Sequence, residues 1–444
     1  MTLERREFLA VVAAIGLLPA ARALAAVGDL KGAAQAAWLF TLPLIEMANT
    51  RAKAALDEPE FQQNRFSHRR RLATPAFREV TTPNNDTIYS TAWLDLTDGP
   101  VTLTMPDPGS RYTAMQIMDM YTNTNACLNK RTVPKKFGRK GGVFTLVGPG
   151  QSSRGKINPV RMATLHGWAL GRILVDGEAD LAAAHAIQDA MTLTRAVPLA
   201  KVDLATRQSP VAAYFASAAR LMAADPPPPA DAAELARIAP IGLQAHGGFD
   251  PARFTPSQLA EIEAGVAAAR GLLRPRAGSR TYVDGWSYPA ANLGNFGQDY
   301  VFRAIVALVG LAANTPDEAM YLNPQGDDGR MFTGNGFYRF TLPKPPPVDA
   351  FWSLTMYEAT SEGQLYLTNN PIDRYSIGDR TRGIKHNPDG SLDIWIGRHD
   401  PGGERSANWL PAPAKGPFTV SFRAYWPKAE FRDGRYRLPP IVTA

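Results

Sequence analysis

Asp119 and Glu358 are two carboxylates that could act as a pair. Each closes an eight-residue run in which alternate side chains point to opposite faces, Tyr112–Asp119 and Phe351–Glu358. If the two runs face each other, paired carboxylates suit glycoside or proton-transfer chemistry. Asp86 is a third candidate catalytic residue. It ends the polar turn Pro83-Asn84-Asn85-Asp86, where Asn84 and Asn85 could aim hydrogen-bonding groups into a pocket and Asp86 could serve as base or acceptor. The same residue types also build Asx turns and backbone caps at a strand entry, and that use is the commoner one. Tyr89, Trp93, Tyr121, Trp352 and Tyr357 could form stacking walls for a sugar or an aromatic ligand. Each of them singly suits a β-sandwich core at least as well.

A second polar stretch runs from Asn370 through Arg374 and Tyr375 to Arg382. An arginine there could hold a carboxylate or phosphate in two-pronged fashion, while Asp373, Arg374, Asp379 and Arg380 could equally form an internal lattice of ion pairs. The six histidines, His68, His166, His185, His246, His386 and His399, have no pair at zinc-motif spacing. No metal site is therefore assigned. The chain has no Gly-x-Ser-x-Gly, no phosphate-binding loop and no dinucleotide fingerprint, so its motifs specify no cofactor.

These residues need strands to position them. Phe351–Glu358 reads as a half-buried strand with Trp352, Leu354, Met356 and Glu358 on one face and Phe351, Ser353, Thr355 and Tyr357 on the other. Further strands are expected at Ser90–Leu96, Val101–Met105, Tyr112–Asp119, Gly141–Val147, Phe337–Leu342 and Leu392–Gly397. The early and late sets follow one plan. An alternating run ending on an acid precedes a short strand that runs into a Gly/Pro turn, which suggests a weak internal repeat. Between them the chain reads as helical, at Asp180–Thr194, Pro210–Ala224, Ala230–Ile238, Thr255–Leu273 and Tyr300–Ala313, with Asp29–Leu56 helical ahead of the first strands. The expected fold class is mainly β with an inserted helical region: two antiparallel β-barrel or jelly-roll-like domains plus an α segment. The expected divisions are a signal over 1–25, an N-terminal helix and first β domain over 29–176, a helical region over 177–320 and a second β domain over 321–444.

Arg5-Arg6-Glu7-Phe8-Leu9, a short apolar stretch over 10–20 and Ala23-Leu24-Ala25 form a twin-arginine export signal, which places the protein in the periplasm or beyond. The formal charge of +7 is modest for 444 residues, and its cations are scattered. A nucleic-acid groove would need clustered cations with stacking aromatics, so no nucleic-acid partner is expected. No apolar run after the signal could span a membrane. Cys127 is the sole cysteine, which excludes an internal disulfide, and its apolar neighbours suggest a buried thiol.

Pro83-Asn84-Asn85-Asp86-Thr87-x-Tyr89-Ser90-x-Ala92-Trp93-Leu94-Asp95-Leu96 resembles the signature of domain of unknown function 1254. Phe351-Trp352-Ser353-x-Thr355-x-Tyr357, Asn370-Pro371-x-x-Arg374-Tyr375-x-Ile377-Gly378-Asp379-Arg380 and Ala407-Asn408-Trp409-Leu410-Pro411 resemble domain of unknown function 1214. The resemblance implies two β-barrel or jelly-roll-like domains with a helical segment, and it implies no reaction. The expected function is that of a hydrolase or lyase acting on a small polar or aromatic molecule held between the β domains. The other reading is a non-catalytic envelope or carbohydrate-binding protein, and a homo-oligomer is compatible with either. The last expectation is that the two signature stretches meet in space, with Arg374 or Tyr375 supplying a donor to Asp86.

Overall fold

The computed structural model describes residues 29–58, 60–138, 141–199, 203–244, 248–273, 281–326 and 329–444. The export signal expected over 1–25 and His246 lie outside the described residues.

The first β unit has strands β1 (Ser67–His68), β2 (Thr87–Asp95), β3 (Val101–Met105), β4 (Thr113–Asp119), β5 (Thr124–Leu128), β6 (Gly142–Val147), β7 (Pro159–Arg161) and β8 (His166–Leu174). They form a five-stranded sheet in the order β1-β2-β8-β4-β5. A four-stranded sheet lies beside it, in which Thr192–Leu193 precedes β3-β6-β7. Period-two alternation sends Ile88, Ala92 and Leu94 of β2 inward against Leu103, Met105, Phe144 and Leu146, which makes a buried sandwich core. The other face of the larger sheet carries Tyr89, Trp168, Leu170 and Arg172, which look away from that core.

Helix α1 (Leu30–Asp57) is followed after the first β unit by α2 (Leu181–Asp189), α3 (Val211–Ala224), α4 (Ala232–Ile238), α5 (Pro256–Leu272) and α6 (Tyr300–Val309). Thr255 and Gln258 form a reciprocal capping box at the start of α5. The apolar residues of α1 bury against α3 to α6 and against Trp93 and Tyr121, so the N-terminal helix packs with the helical region although its sequence position sets it beside the first sheet. The helix expected over 180–194 ends at Asp189, because Thr192–Leu193 adds an edge to β3 instead. The helix expected over 300–313 ends at Val309, ahead of Gly310.

The second β unit has β9 (Ala319–Pro324), β10 (Tyr338–Leu342), β11 (Val348–Ala359), β12 (Leu365–Tyr366), β13 (Ser376–Gly378), β14 (Leu392–Gly397), β15 (Trp409–Pro411), β16 (Pro417–Pro427) and β17 (Ile441–Thr443). The larger sheet has β9-β16-β11-β12 at its centre, and a four-stranded sheet runs β15-β14-β10-β17. Trp352, Leu354 and Met356 face Phe340, Ile394 and Phe422 in the core between them. Phe351, Ser353, Thr355 and Tyr357 point the other way, as their parity requires, yet they too are buried, so β11 is covered on both faces. Gly378 of β13 pairs with Ser353, and a Cβ there would meet the Trp352 carbonyl oxygen at 2.2 Å, so the close strand pairing requires glycine.

The fold is thus mainly β with an inserted helical region. Each unit pairs a larger, largely antiparallel sheet with a four-stranded one in jelly-roll-like fashion. Neither closes into a barrel, which corrects the barrel alternative, because short edge strands end each sheet. The two plans rhyme: β6–β7 and β14–β15 are both parallel edge pairs reached after a Gly/Pro turn. Among the described residues no helix is long and apolar enough to cross a membrane.

Candidate functional site

The two larger sheets turn their non-sandwich faces toward each other. Between them and the helical region lies a chamber of about 1430 Å³. Strand β2 places Thr87 and Tyr89 on its wall, β8 places Trp168, Leu170 and Arg172, β9 places Tyr321 and Asn323, and β16 places Ser421 and Arg423. Residues 310–313 after α6 and the irregular segment 77–84 complete it.

Arg172 donates to Gln116 Oε1 (2.9 Å), Asn314 Oδ1 (2.9 Å) and the Ala312 carbonyl (2.6 Å). Arg423 donates to Thr355 Oγ1 (2.7 Å), Tyr357 Oη (2.6 Å) and the Thr82 carbonyl (3.2 Å). Burial alone would lower the pKa of both guanidiniums. The surrounding tyrosine oxygens outweigh it, with Asp86 adding to the effect at Arg423, and both stay charged. Two further polar groups on the wall, Thr87 Oγ1 and Trp38 Nε1, are buried and have no partner among the described residues.

The Pro83–Asp86 turn is gripped by the second unit. Asn84 Nδ2 donates to Tyr425 Oη (2.7 Å), and Tyr357 Oη donates to the Pro83 carbonyl (2.7 Å). Asn84 Oδ1 accepts from the Asp86 amide at 2.6 Å, which is an Asx turn, and Asn85 Nδ2 donates to the Ala73 carbonyl at 2.7 Å. Asp86 Oδ2 accepts from Ser353 Oγ at 2.7 Å, and Arg380 lies 3.8 Å from Oδ1. The signature stretches therefore meet, but through Ser353, Tyr357, Arg380, Arg423 and Tyr425.

Arg374 and Tyr375 do not supply the donor to Asp86, contrary to expectation. Arg374 donates to the carbonyls of Ala407 (3.0 Å) and Trp409 (2.8 Å), Tyr375 donates to Asp373 (2.9 Å), and Asn370 closes its own turn on Thr368 and Arg374. These three residues brace a loop against the second sandwich. Of the sequence candidates, Asn84 and Tyr89 reach the chamber wall. Trp93 stacks on Trp168 at 4.8 Å, Tyr121 Oη donates to the Asp225 carbonyl at 2.9 Å, and Trp352 stacks on Phe422 at 5.4 Å, all inside cores. Large aromatic rings contribute most when fully buried, which is why these three are packing residues here.

Asp119 and Glu358 do not face each other as a pair. Asp119 is buried and accepts from the amides of Tyr121 (2.9 Å) and Asn123 (3.0 Å) and from Asn125 Nδ2 (2.8 Å). Burial outweighs those donors and pushes its pKa up to about 6. Glu358 is paired with Arg78 at 3.2 Å in the segment that crosses between the units. Cys127 is partly buried rather than fully so, and burial, reinforced by the charge of Glu318, pushes its thiol pKa well up, which disfavours a thiolate nucleophile. Among the described residues no group of three or more His, Cys, Asp or Glu side chains could hold a metal ion.

Sequence reasoning missed Arg172 and Arg423. Both sit inside strands, β8 and β16, at the parity that turns away from the apolar partners. A cation in the middle of an alternating apolar run, as in Phe418-Thr419-Val420-Ser421-Phe422-Arg423, was the available signal.

Two β units that lock into each other through polar turns across a helical insert define a paired-module protein. Residues 63–195 match the family model DUF1254, protein of unknown function, and residues 318–429 match DUF1214, likewise a protein of unknown function. The first match covers the first β unit and the second most of the other. The crystal structure of the VPA0106 protein from Vibrio parahaemolyticus is similar over 94% of this chain and 100% of its own, with a TM-score of 0.73 and 23% identity, and it supports the fold. A putative uncharacterized protein from Burkholderia cenocepacia aligns over 91% of this chain and 88% of its own at 14% identity, with a TM-score of 0.43. No curated protein matches the chain.

Proposed function

We propose that the protein is an exported enzyme of hydrolase or lyase type that takes a small polar or aromatic molecule into the chamber between its β units. The observation that carries this reading is convergence: Asn84, Thr87 and Tyr89 of the first family segment and Tyr321, Ser421 and Arg423 of the second line one cavity. A scaffold needs no such shared wall. His68, whose Nδ1 shares a 2.9 Å hydrogen bond with Ser90 Oγ, stands opposite Ser90 in the β1–β2 register and stacks on Phe66, so its ring lies on the sandwich side of the sheet and is assigned no proton transfer in the chamber. Burial lowers its pKa, with the Arg70 charge adding to the shift. Ser90 lies at the parity of Ile88 and Ala92, on the sandwich side of β2, and so acts as a brace for His68 and not as a nucleophile toward the chamber.

The chamber is tested by closing it. Leu311→Trp, on the wall, is expected to keep the wild-type unfolding midpoint within a few degrees and to abolish binding of polar and aromatic fragments seen by saturation-transfer NMR. Fragment binding that survives the substitution removes the chamber as the site. The aromatic wall residues Phe77, Tyr89, Trp168 and Tyr366 favour a second reading, non-catalytic sugar capture. A bound molecule recovered unchanged after prolonged incubation would select it. The exported setting rests on Arg5 and Arg6. Changing both to Lys is expected to hold a reporter fused behind residues 1–27 in the cytoplasm, and undiminished export would remove the twin-arginine route.

A further inference from the structure

Arg172 and Arg423 come from different units but belong to one patch. Arg172 bonds Asn314 Oδ1 at 2.9 Å, and Asn314 Nδ2 bonds Tyr321 Oη at 2.9 Å. Tyr321 stands directly opposite Arg423 in the β9–β16 register. Cross-strand neighbours in such a pair have Cβ atoms about 5 Å apart. The charges of both guanidiniums act on the Tyr321 hydroxyl, so both lie near this one side chain of the chamber wall.

Both arginines are nearly inaccessible, at 5% and 4% exposure, and all their protein acceptors are neutral amide, carbonyl or hydroxyl oxygens. Among the described residues neither has a carboxylate within 4.0 Å. The carboxylates nearby are committed elsewhere. Asp86 and Asp176 both serve Arg380, and Glu318 serves Arg131. Of the other arginines that line the chamber, Arg69, Arg78 and Arg207 are matched by Glu79, Glu358 and Glu46, and Arg270, less buried than Arg172 and Arg423, bonds the carbonyls of Arg207 and Ser209. Each guanidinium carries five N–H groups, of which three bond to protein. Two buried positive charges with no carboxylate in direct contact are costly unless something with negative charge completes them. The unpartnered Thr87 hydroxyl lies on the same wall.

We propose that the chamber's ligand is an anionic molecule whose carboxylate is seated between Arg172 and Arg423. The proposal rests on the chamber reading above and adds the charge and chemical class of what enters it. The planar guanidinium matches a carboxylate through paired N–H groups, and such charge-assisted bonds are the strong ones in a site shielded from water. The apolar body of the ligand would lie against Leu170, Leu308 and Leu311 on the same chamber wall.

The experiment compares benzoate, benzamide and inorganic phosphate as probes at fixed ionic strength, by titration calorimetry on the full mature chain. Benzoate is expected to bind at least about tenfold more tightly than its neutral isostere benzamide, and more tightly than phosphate. Arg172→Gln and Arg423→Gln are each expected to weaken benzoate at least about tenfold and to leave benzamide unchanged. Arg172→Lys and Arg423→Lys, which keep the charge, guard against variants that fail to fold and should give intermediate loss. Equal binding of benzoate and benzamide, or unchanged benzoate binding in folded Gln variants, overturns the anion site. Tighter phosphate binding overturns the carboxylate assignment. Neutral fragments that bind and are blocked by Leu311→Trp, with no benzoate binding, leave the chamber reading standing and remove this one. If no probe or fragment binds, both fall.

Discussion

Glu318→Ala is expected to lower the unfolding free energy by about 3–5 kcal/mol, the range for stripping one partner from a buried charged network. Glu318 is fully buried where the two β units meet. Its Oε1 accepts from Tyr112 Oη at 2.7 Å and Trp426 Nε1 at 3.0 Å, and its Oε2 accepts from Asn129 Nδ2 at 2.9 Å and Arg131 at 3.1 Å. Three of the four donors come from the first unit and one from the second. Truncation takes the acceptor from the buried Tyr112 and Asn129 and from Trp426, and their desolvation cost then falls on the folded state, while Arg131, 28% exposed, keeps the Asp317 carbonyl. Glu318→Gln is the informative control. It keeps the size and one acceptor oxygen but turns an amide toward Arg131 or Tyr112, so its loss should be smaller yet still clear. Urea titration followed by tryptophan fluorescence measures both. A loss under about 1 kcal/mol for the alanine variant would show that the junction relaxes around the gap.

How far the sequence discloses such features depends on which face of a strand carries the information. Val101–Met105 and Leu392–Gly397 alternate cleanly because one face meets a sandwich core, and they form the strands expected, residue for residue. The parity of Phe351–Glu358 was also legible, since Trp352, Leu354 and Met356 do share a core. The other face of that strand was not, because its cover is the first unit, some 270 residues away in the chain, and no local pattern records a distant partner. Strands β8 and β16 were missed as well. They are buried on both faces; in β8 glycine and apolar residues fill the positions where solvent-facing charges would mark alternation, whereas the alternation of β16 was present but went unread. With them went Arg172 and Arg423, which read as two more scattered cations. Asn84 was found because a Pro-Asn-Asn-Asp turn is unusual enough to be noticed without a partner, and Tyr89 because an aromatic ring is a candidate stacking wall. Their neighbour Asp86 was noticed with the turn, but its task differs from the one its chemistry first suggests.

Asp86→Ala should therefore lose stability and keep ligand binding. Asp86 is buried and stands behind the chamber wall, with Ser353 Oγ donating to Oδ2 at 2.7 Å and Arg380 at 3.8 Å from Oδ1. Arg380 itself packs over the Phe351 ring at 4.3 Å, and its buried Nε has no partner among the described residues. Removing the carboxylate strands the Ser353 hydroxyl and takes one of two negative partners from Arg380, while Asp176 remains. One stranded hydroxyl and one weakened ion pair amount to about 2–4 kcal/mol, less than for a charge that loses its sole partner. Asp86→Asn keeps an acceptor for Ser353 and loses only the charge, so it should cost about half as much or less. Benzoate affinity per folded molecule should not fall in either variant, because neither alters an N–H group of Arg172 or Arg423 and both remove a negative charge that acts on Arg423. The opposite pattern, a wild-type urea midpoint with binding or turnover abolished, would move Asp86 from the junction into the chemistry of the chamber and return it to the role of base.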